Sequence, residues 1–69
     1  MVEVFKTNVT ERLHAEALLT LLSLHLPEHQ INFDLTDCDN ILRVKGGNVP
    51  VTQIIELVKN NGFECILLD

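Results

Sequence analysis

Apolar residues along this chain switch repeatedly between a period of two and a period of about 3.6, and the order of those switches limits the fold more tightly than any other feature. The clearest stretch is His29-Gln30-Ile31-Asn32-Phe33-Asp34-Leu35, where Ile31, Phe33 and Leu35 alternate with polar residues as a strand with one buried face requires. Val2-Glu3-Val4-Phe5-Lys6-Thr7 reads as an earlier strand, on its alternation and two β-branched valines. Between them, Leu13, Ala17, Leu21 and Leu24 form a stripe with helical spacing. Asn8 or Thr10 is expected to cap that helix, Glu11 suits its positive end, and Pro27 ends it. Asp37-Cys38-Asp39-Asn40 is a turn, so Ile41 to Lys45 completes a hairpin with the preceding strand. After Gly46-Gly47-Asn48, Pro50 suits the first turn of a second helix, with Val51, Ile54, Ile55 and Val58 on its apolar face. Gly62 stops that helix, and Phe63 to Leu68 is the last strand.

Two helices alternating with four short strands, the middle pair joined by a tight turn, make the split β-α-β pattern of an α+β domain. Its helices cover one face of the sheet and leave the other open. Alternation assigns Phe5, Thr7, Ile31, Phe33, Leu35, Leu42, Val44, Phe63, Cys65 and Leu67 to the covered side. Val2, Val4, Ile41, Ile66 and Leu68 fall on the other, among Lys6, Arg43, Lys45, Gln30, Asn32 and Glu64. A single domain, residues 1–69, fits the 7.8 kDa mass; chains this small bury only about 60% of the surface they expose when unfolded. With three Phe and no Trp or Tyr, the core must be mostly aliphatic.

Ten acidic residues against five Lys and Arg leave a net charge of −5, which argues against nucleic acid and anionic membrane surfaces. No basic segment precedes an apolar run, and the apolar segments are shorter than a bilayer span, so no membrane association and a cytoplasmic location are expected. Cys38 and Cys65 are then expected as free thiols, Cys65 acting as a small core hydrophobe. No Ser or Cys has a plausible His and orienting acid, and Gly46-Gly47 lacks the Lys or Ser of a phosphate loop, so neither an enzyme nor a cofactor is expected. Asp34, Asp37 and Asp39 lack the closing Glu of a calcium loop and read as turn residues. His25 and His29, around Leu26-Pro27-Glu28, read as a helix cap or a solvated loop.

The run Thr52-Gln53-Ile54-Ile55-Glu56-Leu57-Val58-Lys59-Asn60-Asn61-Gly62-Phe63-Glu64 resembles the second helix and the Gly-aromatic-Glu lead-in of the heavy-metal-associated domain family, the copper chaperones and N-terminal modules of copper-transporting ATPases. The resemblance covers nearly the whole chain. It implies a ferredoxin-like βαββαβ sandwich, with a four-stranded antiparallel sheet in the order 4-1-3-2 and two helices on one face. That order also places Cys38 and Cys65 too far apart for a disulfide. The family binds Cu(I) through two thiolates of a Gly-Met-Thr-Cys-x-x-Cys loop. Aligned on Thr10, this chain reads Asn8-Val9-Thr10-Glu11-Arg12-Leu13-His14, so Glu11 and His14 stand where the cysteines would be and Cu(I) binding is not expected. Val9 keeps the inward apolar position of that loop. The resemblance implies a non-catalytic interaction or regulatory module, engaging a protein partner or forming a homodimer through the open sheet face. In a 4-1-3-2 sheet, Val2, Val4, Ile66 and Leu68 merge there into one apolar patch. The alternative is a divalent metal site, for zinc or nickel, on Glu11 and His14, three apart on one helix face.

Overall fold

The computed structural model describes residues 1–68. In chain order the elements are β1 (Val2–Thr7), α1 (Arg12–His25), β2 (Gln30–Asp34), β3 (Ile41–Lys45), α2 (Val51–Asn60) and β4 (Cys65–Leu68). The fold is α+β. Its four strands pair antiparallel in the order β2-β3-β1-β4, which is 4-1-3-2 read from the opposite edge. Phe5 sits at the centre of the sheet, facing Leu42 across one ladder and Leu67 across the other. It is fully buried with Leu42 and Val44, and one cluster joins these to Phe33 and Cys65 on the edge strands, Leu18 and Leu22 of α1, and Ile54 and Val58 of α2. Both helices therefore cover the same face. Each large aliphatic side chain in that cluster contributes about 1.5–3 kcal/mol by leaving water.

The inward face of α1 differs from the stripe expected from spacing. Ala15, Leu18 and Leu22 are the buried residues, and Leu26 joins them just past the helix end. Leu13 and Leu24 are 77% and 75% exposed. Two stripes of helical period run along α1 on opposite sides, and periodicity alone does not say which one meets the sheet. Neither Asn8 nor Thr10 caps the helix: Glu11, in an extended conformation, is its N-cap and makes no side-chain cap bond. The Asn8 amide oxygen instead accepts the Glu64 N–H at 2.8 Å, tying the first loop to the approach of β4.

The ends of α2 follow local chemistry. Pro50 stands one place ahead of the helix, as its N-cap. Gly62 at φ +91° reverses the chain, and its N–H reaches the Lys59 carbonyl at 3.0 Å. In the hairpin turn, Asn40 takes the left-handed conformation at φ 47°, which Asn tolerates better than most residues.

One end of the sheet is fastened by a single buried hydroxyl. Thr7 Oγ1 donates to the Asn40 carbonyl at 2.6 Å and accepts the Val9 N–H at 3.2 Å, while the Thr7 N–H reaches the Asp39 carbonyl at 3.1 Å. The first loop and the hairpin turn are thereby held together, with Val9 fully buried beneath them. At the opposite end, His29 Nε2–H donates to the Asn48 carbonyl at 2.9 Å, and its ring lies over Gly46, where a Cβ would collide with it. The expected solvated loop is thus a packed contact between two connections. His25 takes the capping role, its Nδ1–H donating to the Leu21 carbonyl at 3.1 Å.

Candidate functional site

The antiparallel register lays out the open face as a grid. Its middle row runs Leu68, Val4, Arg43, Asn32 across β4, β1, β3 and β2. Beside it run Ile66, Lys6, Ile41, Asp34 on one side and Val2, Lys45, Gln30 on the other. Residues directly opposite in such rows have Cβ atoms about 4.5–5.5 Å apart, so each row is a continuous surface. Val4 and Leu68 are direct partners, flanked by Val2 at 49% and Ile66 at 58% exposure. The four interface candidates thus lie together on β1 and β4, with Lys6 set between Val4 and Ile41.

Ile41 departs from the expectation. It belongs to the open face by register yet is only 5% exposed and stands outside the main core cluster. Its neighbours across the ladders are Lys6 and Asp34. Lys6 sends its ammonium to Asp39 at 3.7 Å, and Ile41, nearly buried beside Lys6, is not available to a partner.

The β3 and β2 half of the face is polar and cationic. Val2, Gln30, Asn32, Arg43 and Lys45 line a groove of about 220 Å³. Lys6, Arg43 and Lys45 are three of the five Lys and Arg in a chain of net charge −5, so positive charge is gathered on the open face while the remainder of the molecule is strongly acidic. Asp34, at the rim, accepts from the Thr36 hydroxyl at 2.6 Å and the Thr36 N–H at 3.1 Å. These bonds, with Arg43 adding a favourable charge, hold its carboxyl below the usual carboxylate range. Alternation parity already placed Lys6, Arg43 and Lys45 on the open side, and the β1–β3 register sets their strands side by side.

Glu11 and His14 lie elsewhere, at the start of α1. Both are exposed, Glu11 as the N-cap, and the His14 ring packs against Phe63 with centroids 5.4 Å apart at a tilt of 54°. Among the described residues, the metal-ligating atoms that gather in a group of three belong to Asp37, Cys38 and Asp39, within 4.8 Å of one another. The turn already uses them: Asp37 Oδ1 accepts the Asp39 N–H at 2.8 Å, and Asp39 pairs with Lys6. A hollow of about 330 Å³ near His25, Glu28, His29 and Asn48 has its two histidines tied to backbone carbonyls. Cys38 is an exposed free thiol; Cys65 is free and buried, and burial pushes its pKa up to about 11. Among the described residues, no helix is long and apolar enough to cross a membrane.

Comparison with protein-family models, with curated proteins and with solved structures gives no match. The functional reading therefore rests on the geometry of the open face.

Proposed function

We propose that this chain is a non-catalytic binding module, a ferredoxin-like domain of heavy-metal-associated type that has exchanged Cu(I) binding for protein binding on its open sheet face. The observation that carries this reading is the divided grid: an apolar half made by Val2, Val4, Ile66 and Leu68 beside a cationic half made by Arg43 and Lys45. A partner that fits presents apolar side chains next to carboxylates. Apolar contact supplies affinity, and the cations set orientation and on-rate. Two copies meeting through this face would bring like charges together, so an acidic protein segment is the better occupant. Glu11 and His14, both exposed, stand where that family carries its two thiolates, which supports the loss of Cu(I) binding at the first loop.

The test is calorimetric titration with a synthetic peptide alternating leucine and glutamate, against a control with lysine for glutamate. Binding is expected for the acidic peptide alone, weakened about tenfold, or 1.4 kcal/mol, by Arg43→Glu, and reduced by added salt as the charges are screened. Equal binding of both peptides, or none of either, would remove the proposal.

A further inference from the structure

We infer that the groove on the β3 and β2 half of the open face is a phosphoryl-binding site, so that the partner segment carries a phosphorylated side chain beside its apolar ones. The inference rests on the open-face reading and names its partner more narrowly. Among the residues lining the groove, of about 220 Å³, are Gln30, Asn32, Arg43 and Lys45, each with hydrogen-bond donors on its side chain. The register sets Arg43 directly opposite Asn32 and Lys45 directly opposite Gln30, so two cations and two amides form a block around one space.

All four keep their donors available. Among the described residues, none of these side chains takes part in a hydrogen bond or an ion pair, and the ion pair of the sheet joins Lys6 to Asp39. Asp34, whose carboxylate the charge of Arg43 favours, spends its Oδ1 on the Thr36 hydroxyl and N–H and leaves the guanidinium unpaired. Val2 and Val4, the β1 neighbours of Lys45 and Arg43, border the block on its other side without a carboxylate.

Charge and geometry select the ligand. Arg43 and Lys45 stand two apart on one strand, about 7 Å from each other, and both side chains are long enough to meet over a single anion. One carboxylate there would neutralise only one of the two cations. A phosphate monoester carries about two charges and three terminal oxygens at neutral pH, which matches both cations and leaves acceptor capacity for the amides of Gln30 and Asn32. The Arg43 fork suits two of those oxygens, with Lys45 as a point charge. A protein segment is the source that fits. Val2, Val4, Ile66 and Leu68 beside the groove call for apolar side chains, and the chain's net charge of −5 opposes a polyanion.

Calorimetric titration compares the leucine-glutamate peptide with two others of equal length, in which its central glutamate is replaced by serine or by phosphoserine. The phosphoserine peptide is expected to bind about tenfold tighter than the glutamate peptide, and the serine peptide most weakly. Arg43→Lys keeps the charge and loses the fork, and should bring the phosphoserine peptide to within about threefold of the glutamate peptide. Asn32→Ala, at an exposed position of the edge strand, should lower the preference by about twofold or more. Inorganic phosphate alone lacks the apolar contacts and should bind at least about a hundredfold more weakly than the phosphopeptide. Equal binding of the glutamate and phosphoserine peptides would overturn the inference and leave the open-face reading standing. Binding of the phosphoserine peptide alone would uphold the inference and confine that reading to phosphorylated partners, and binding of neither would remove both. A preference unchanged by Arg43→Lys, or inorganic phosphate binding as tightly as the phosphopeptide, would also overturn the inference.

Discussion

Replacing Thr7 with valine removes one oxygen and little volume, so it isolates the hydrogen bonds that fasten the hairpin end of the sheet. The Thr7 hydroxyl bridges the Asn40 carbonyl and the Val9 N–H. Val9 is fully buried, so its amide, once deserted, has no water to turn to. Leaving a buried donor unpaired costs about 1–3 kcal/mol, and the lost bond to the part-buried Asn40 carbonyl adds about 0.5–1. The expected loss is about 1.5–4 kcal/mol, against a total near 3–10 for a chain of this length. Urea unfolding followed by far-ultraviolet dichroism reads it directly: with a slope near 1 kcal/mol/M, the midpoint should fall by about 1.5–4 M at unchanged slope. Thr7→Ser keeps both bonds, loses only a methyl group, and should fall by about 1 kcal/mol. A Thr7→Val protein within 0.5 kcal/mol of the parent would show that the Val9 amide finds another partner and that the hydroxyl is not the fastening.

Three further measurements test other parts of the fold. Gly46→Ala forces a Cβ into the His29 ring and should destabilise by about 1–3 kcal/mol with a shift of the His29 ring resonances, while Gly47→Ala, with open space around its Cβ position, should stay within about 1 kcal/mol of the parent. Thiol labelling at neutral pH should modify Cys38 and spare Cys65 until the chain unfolds. Because Cys65 holds its proton to about pH 11 in the fold against an ordinary value of 9.0, the folded state binds more protons between those values. Stability from this group should therefore be level below pH 9 and fall as pH rises toward 11, a decline that Cys65→Ala removes.

The strands and the hairpin were legible because each has one buried face, so Ile31, Phe33, Leu42 and Val44 declare their side by alternation. Cys65 followed from the same rule and is buried as expected. The inward side of α1 was not legible, since Leu13 and Leu24 repeat with the same period as Leu18 and Leu22, and the choice between them belongs to tertiary packing. Ile41 obeys the parity rule but is buried on the open face, and its burial appears only in the assembled sheet. The Asn8 bond to Glu64 and the His29 contact with Gly46 join residues distant in the chain, and no local pattern announces them. At the candidate site, the apolar half could be read from strand parity and order together. The groove beside Arg43 and Lys45 needed the register, which sets Gln30 and Asn32 opposite them.

The most direct test of the open face as a binding surface is a nitrogen-resolved NMR titration of the labelled chain with the acidic leucine-glutamate peptide. Amide shifts should move at Val2, Val4, Arg43, Lys45, Ile66 and Leu68, leave α1 and α2 in place, and shrink in Val4→Lys. Shifts confined to the helices or the first loop, or a titration unchanged by Val4→Lys, would contradict the account.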